Sequence, residues 1–189
     1  MKILVISNNS FSDVYNNGKT LKAMFSEFRK DELCMLFFRP HDEISASACE
    51  DYFLISDKEI LKSVFFPRHE TGAIILPSDS MAIKEELMEQ RPKMQRTKLR
   101  QQLRDIVWKM GHWNKRKLRE WIEIQKPNAI FFVGSYCKFA NRIAIALHKQ
   151  LQIPMAVYYT DDYVVNAKPS IYRLSLIHIS EPTRQAEIS

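Results

Sequence analysis

KILVISNNSFSDVYNNGKTLKAMFSEFRKDELCMLFF, residues 2–38, decides the architecture of this chain. Lys2–Ser7 is a continuous apolar run rich in β-branched residues, the mark of a strand buried on both faces. A polar loop runs from Asn8 to Asn17. GKTLKAMFSEFRKDE then reads as a helix with Leu21, Met24, Phe25 and Phe28 on one face. Leu33–Phe38 (LCMLFF) is a second buried strand, closed by Arg39-Pro40. Strand, helix, strand, with strands apolar throughout, is the repeating unit of a parallel sheet covered on both faces.

The same grammar continues outward. Tyr52–Ile55 is a short apolar run, followed by the periodic KEILKSVF, for which Ser56 or Asp57 is an N-cap. Pro127-Asn128 marks a helix-to-strand turn, Ala129–Val133 (AIFFV) a strand and Gly134-Ser135 a turn. Phe139–Leu151 is an amphipathic helix ended by Ile153-Pro154, and Met155–Tyr159 (MAVYY) is a further strand. The expected fold class is α/β, a doubly wound Rossmann-like parallel sheet. Gly72 to Lys126 departs from the alternation. It reads as a basic helical insertion around 80–126, with a short helix at Ser80–Gln90 and longer ones at Lys93–Lys109 and Asn114–Gln125, broken at Gly111.

Leu174 to Ser189, LSLIHISEPTRQAEIS, resembles the in-frame translation of a sequencing-library adapter. The expected domain is therefore 1–173, the front part of a longer protein, with 174–189 a non-native tail to be set aside. The chain carries a net charge of +6. The tail holds one arginine against two glutamates, so 1–173 is more basic still. No apolar run approaches the ~18–20 residues of a membrane span. ILVIS is too short for a signal core, so a cytoplasmic location is expected. Cys34, Cys49 and Cys137 form no CxxC pair, and the histidines are scattered. That spacing predicts small buried thiols, not a disulfide framework, and no metal.

Four constellations could carry chemistry. Asn16-Asn17-Gly18-Lys19-Thr20 lies between a strand and a helix start, where backbone N–H groups suit an anion or a sugar hydroxyl. Its GKT triplet suggests a phosphate-binding P-loop, but Asp13 stands where that loop needs its first glycine, and a carboxylate would repel phosphate. A plain turn, with Gly18 relieving backbone strain, remains open. Gly134-Ser135 follows a buried strand, where open α/β sheets bind ligands; an ordinary turn has the same sequence. Asp161 and Asp162 follow the last strand, and alternation turns only one of them to a cleft; either could equally be a cap. The fourth is basic: eleven Lys or Arg between Arg91 and Arg119, opposed only by Asp105, with Trp108, Trp113 and Trp121 in or beside it. Leu99, Leu103, Ile106, Val107 and Met110 form an apolar stripe there. Three readings stay open: an anionic membrane surface contacted by Lys98, Arg104, Trp108, Lys115 and Arg116, a nucleic-acid patch, or a solvated basic face over a packed apolar one.

MKILVISNNSFSDVYNNGKTLKAMFSEF resembles the opening of bacterial GT-B glycosyltransferases of the retaining, family 4-like, nucleotide-sugar-using kind. KPNAIFFVGSYCKFANRIAIAL with IPMAVYYTDDY is similar to the late strands of that family's N-terminal domain. The resemblance implies two Rossmann-like domains, the first holding the acceptor and the second, absent here, holding the nucleotide sugar. It implies that Asn17, Gly18 and Lys19 border the cleft, that Gly134 and Ser135 line the acceptor side, and that Asp161 holds an acceptor hydroxyl. The family's first loop commonly carries two glycines where this chain has Asn17-Gly18. Thr160-Asp161 replaces a frequent histidine, so no catalytic residue is assigned.

The expected function is the N-terminal part of a glycosyltransferase moving a sugar from a nucleotide sugar to a glycan or lipid-linked acceptor of the cell envelope, inactive without its second domain. No cofactor is expected in this part. Peripheral contact with the inner face of the cell membrane is implied, and nucleic acid is not. The alternative is a basic membrane-surface or nucleic-acid binding module without enzymatic activity.

Overall fold

The structure is a computed structural model and describes residues 1–14, 16–40, 44–76, 98–135 and 137–159. The expected helix at Ser80–Gln90, Asp161 and the tail at 174–189 lie outside the described residues. The elements are β1 (Ile3–Ser7), α1 (Asn16–Met24), a 3-10 turn (Lys30–Glu32), β2 (Leu33–Phe37), β3 (Asp51–Leu54), α2 (Asp57–Phe65) and β4 (Ala73–Ile75), then α3 (Lys98–Met110), α4 (Arg116–Gln125), β5 (Ala129–Gly134), α5 (Lys138–Leu151) and β6 (Met155–Tyr159).

Six strands form one sheet in the order β4-β3-β2-β1-β5-β6. β1 runs parallel to β2 and β5, and β2 parallel to β3; β4 is antiparallel to β3. The expected α/β, Rossmann-like architecture is what the chain adopts. β4 was not foreseen. It is three residues long, half-buried, and too short to show a period.

Alternation along β1 and β2 divides the core. Leu4, Ile6, Cys34, Leu36 and Phe38 point to the face covered by α2, α3, α4 and α5. Ile3, Val5, Leu33, Met35 and Phe37 point to the other face, where α1 contributes Leu21 and Phe25 and the β2–β3 connection contributes Ile44 and Cys49. α1 is shorter than its pattern. It stops at Met24, which is 40% exposed; Phe25 and Phe28 reach the core from the turns that follow. α2 starts at the expected cap. Ser56 Oγ accepts from Glu59 N, and Glu59 Oε2 accepts from Ser56 N.

The basic helices are part of the main fold, not an excursion from it. α3 and α4 send Trp108, Leu118, Trp121 and Ile122 into the core. Trp108 stacks on Phe139 with ring centres 4.0 Å apart, and Trp121 lies 5.2 Å from Phe53. The break after α3 needs Gly111, because a Cβ there would stand 2.4 Å from Ile60 Cγ2. The next residue then ties down, His112 N donating to Ser63 Oγ at 3.0 Å.

α3 divides its apolar stripe: Val107 packs against the core, and much of the rest faces outward. Leu103, Ile106 and Met110 are 53%, 51% and 60% exposed. The face turned to the protein carries Arg104, Asp105 and Trp108 instead. Arg104 Nε donates to both Asp57 carboxylate oxygens at 2.8 and 2.9 Å, and Trp108 Nε1 to Asp57 Oδ1 at 2.6 Å. The Asp57 pairing and the Trp108–Phe139 stack fix the helix in this rotation.

Candidate functional site

From β1 the sheet grows one way through β2 and β3 and the other way through β5 and β6. The reversal lies between β1 and β5, which in open α/β sheets opens a crevice outside the carboxyl ends of the strands. β1 ends at Ser7 and β5 at Gly134. The loops leaving them meet directly. Asn8 Nδ2 donates to Ser135 Oγ at 2.8 Å, and Cys137 N donates to the same oxygen at 3.3 Å. From the end of β2, Arg39 N donates to Asn8 O at 2.9 Å. Ser7 Oγ accepts from Asn9 N at 3.2 Å.

Three buried oxygens at this end of the sheet have no hydrogen-bond partner: Asn8 Oδ1, Ser10 Oγ and, on the first turns of α5, Asn141 Oδ1. A buried polar group left unpaired costs about 1–3 kcal/mol. Most native buried groups are paired, so such a cluster calls for an explanation. A ligand that donates hydrogen bonds into the crevice is one.

The loop after β1 folds inward and is no open cradle. Phe11 is fully buried, edge-on to Phe25 and Tyr52. Its N–H points at Met35 Sδ (3.4 Å) and its carbonyl accepts from Ser45 N at 3.0 Å. Gly18 sits inside α1 without a positive φ. Its role is close approach, not relief of strain: a Cβ there would stand 2.6 Å from Ser12 Cβ and 2.8 Å from Ser10 O. The GKT triplet therefore belongs to a helix packed on its own loop, and no P-loop forms. Asn17 and Lys19 stand exposed on the first turn of α1. Asp13 pairs with Lys22. Lys22, and after it Ser45, hold the Asp13 carboxyl below its ordinary range.

The N-terminus of α5 follows the end of β5 and also faces this end of the sheet. Its cap residue Cys137 gives no side-chain bond. Asp105 of α3 instead accepts from the Phe139 N–H. Desolvation is the largest influence on Asp105 and raises its pKa, opposed by Lys138, Arg142, Arg104 and that hydrogen bond. A second anion at this helix end would meet a carboxylate. The groups that join the β1 and β5 loops across the crevice are an amide and a hydroxyl, Asn8 and Ser135.

The remaining expected site residues scatter. Gly134 and Ser135 reach the crevice, and Gly18 supports its loop. Of the expected membrane residues, Trp108 is only 3% exposed, so it belongs to the core and cannot face a membrane. Arg104 is spent on Asp57, and its guanidinium lies 4.7 Å over the Phe139 ring. Lys115 Nζ donates to Pro67 O, and exposed Arg116 lies 3.5 Å from Glu120. Lys98 starts α3. Asn8 and Ser10 were not anticipated as site residues. Asn8 could have been found as the first polar residue beyond a buried strand, whereas Ser10 depends on the inward fold of Phe11.

Cys34 and Cys49 are fully buried. Burial raises both thiols, Cys49 to about 12, so neither is a thiolate at neutral pH. Among the described residues no cluster of His, Cys, Asp or Glu could hold a metal ion, and no helix is long and apolar enough to cross a membrane. No protein-family model, no curated protein and no solved structure matches this chain.

Proposed function

We propose that the chain is the acceptor-holding lobe of a GT-B-type glycosyltransferase, which moves a sugar from a nucleotide sugar onto a hydroxyl of a glycan or lipid-linked acceptor. One observation carries this reading: the switch-point crevice presents unpaired buried acceptors, Asn8 Oδ1 and Ser10 Oγ, at the same end of the sheet as the Asn8–Ser135 pair. Sugar hydroxyls donate hydrogen bonds, so unpaired buried oxygens suit them. A site built to pair a hydroxyl also rejects analogues lacking it, because its own polar groups would be left unpaired.

In this reading Asn8, Ser10 and Ser135 orient acceptor hydroxyls. Gly134 lets the acceptor come close to the backbone. Asn17, Gly18 and Lys19 border the cleft. The acceptor oxygen bonds to the anomeric carbon as the sugar–phosphate bond breaks, and the nucleoside diphosphate leaves, its phosphate oxygen taking the acceptor hydroxyl's proton. Charge grows on that leaving group, and cationic groups must stabilise it. The Asp105-capped end of α5 is unsuited to that task, which falls to a second lobe.

Ligand-observed NMR on the whole chain tests the proposal with a panel of neutral oligosaccharides, a nucleoside diphosphate sugar and the free nucleotide. Saccharide binding is expected, weakened about tenfold or more by Asn8→Ala and by Ser135→Ala without loss of the folded state. Saccharide binding indifferent to both substitutions, or selective binding of the free nucleotide, would sink it.

A further inference from the structure

α3 turns an apolar stripe outward. Leu103, Ile106 and Met110 follow a 3-4 spacing and are all more than half exposed. A helix packed on a core normally shows water its polar side. The neighbouring α2 does the same: Leu61 is 45% exposed, and Phe65 and Phe66, at its end, are 71% and 68% exposed. Arg104–Asp57 and the Gly111–Ile60 approach hold the two helices side by side. Large apolar groups gathered on adjacent helices mark an interaction surface more often than chance exposure does.

The flanks of this surface are positive. Exposed Lys62 lies on α2, and exposed Lys109 and Arg142 lie on α3 and α5. Lys109 and Arg142 also line a groove of about 320 Å³ between α3 and α5, walled by Trp108, Trp113, Phe139 and Ile143. The acids on these helices are engaged: Asp57 with Arg104, Glu59 in the α2 cap and Asp105 on α5. An apolar ridge beside an aromatic-walled, cation-rimmed groove matches an amphiphile with an anionic head.

We propose that the outer face of α2 and α3 docks on an anionic phospholipid surface. Leu103, Ile106, Met110, Phe65 and Phe66 enter the boundary between headgroups and acyl chains. Lys109 and Arg142 receive a lipid phosphate at the mouth of the groove, and Lys62 adds to the attraction. Nucleic acid offers the ridge no apolar partner, and a second copy would bring like charge against like. Docking through α3 stands or falls separately from sugar binding at Asn8 and Ser135.

Flotation of the whole chain with phosphatidylcholine vesicles, with and without phosphatidylglycerol, tests this. Binding is expected only to vesicles containing phosphatidylglycerol, and it should fall as salt rises. Two double variants, Ile106→Glu with Met110→Glu and Lys109→Glu with Arg142→Glu, should each lower partitioning at least about tenfold. All four positions are exposed, so an unchanged circular dichroism melt is expected. Variants that float like the parent, a parent that ignores phosphatidylglycerol, competition by duplex DNA in preference to vesicles, or a dimer abolished by the Ile106 and Met110 substitutions would each overturn it.

Discussion

The two ends of the sheet are finished differently. At the amino end, polar groups meet partners. Lys2 Nζ lies 2.8 Å from Asp51 Oδ2, Gln125 Nε2 donates to Asp51 Oδ1 at 3.0 Å, and Asn128 exchanges bonds with the Lys2 backbone at 2.8 and 2.9 Å. At the carboxyl end, Asn8 Oδ1 and Ser10 Oγ are buried with no partner. Both ends hang from the same two cores, so the contrast is not one of packing. Satisfied polar groups serve stability, whereas unsatisfied ones cost it, and such a cost is commonly kept where a protein binds something.

Substitutions can break or sharpen this contrast. The largest loss should come from the layer that supports both ends: Trp121→Ala removes a 2%-exposed ring from beside Phe53 and should cost about 3–5 kcal/mol in a urea titration. Gly18→Ala forces a methyl into the loop at Ser10 and Ser12 and should cost about 1–3 kcal/mol. Because that loop forms the crevice, saccharide binding should fall with it. Asp51→Ala strands Lys2 and Gln125 at the amino end. It should cost about 1 kcal/mol, reduced by the partial exposure of the pair, and leave ligand binding untouched. If Asp51→Ala weakens saccharide binding as much as Asn8→Ala does, the two ends are not functionally distinct.

Two smaller effects complete the series. The carboxyl-end variant Asn8→Ala deletes an unpaired acceptor along with its bond to Ser135. It should change stability by no more than about 0.5 kcal/mol while reducing ligand binding. The smallest effect concerns pH. Lys22, then Ser45, lower the Asp13 pKa below its ordinary 3.8. The stabilisation is therefore complete above that value and disappears as pH falls through the folded-state pKa. Lys22→Met should lower the melting temperature slightly near neutrality, where the pair is intact, and the parent and variant curves should converge as pH falls below about 4. A parent and variant whose profiles superimpose near neutrality as well as in acid would show that the pair is not formed in solution.

The strands were the most legible part of the chain. KILVIS, LCMLFF, AIFFV and MAVYY each became a strand within a residue of their apolar limits; β1 and β2 are buried on both faces, which leaves no room there for a polar residue. Ser56 announced α2, and Gly111 announced the break after α3. β4 gave no signal, being three residues paired at an edge. The site was half legible. Gly134 and Ser135 follow from their place after a buried strand. The Asn8–Ser135 contact joins residues 127 apart in the chain and needs β1 and β5 to be neighbours.

α3 shows the limit most sharply. Its sequence offers apolar residues on more than one side, and periodicity alone left open whether Leu103, Ile106 and Met110 pack inward or face a membrane. Asp57 and Phe139, far away in the chain, captured Arg104 and Trp108 and turned those three outward. The sequence by itself determined the α/β alternation and most of the elements, because hydrophobic period and capping act over a few residues. Tertiary structure alone decided the strand order, the crevice at its reversal, the oxygens left unpaired there and the face α3 shows to solvent. Each of these depends on which distant groups compete for the same buried space.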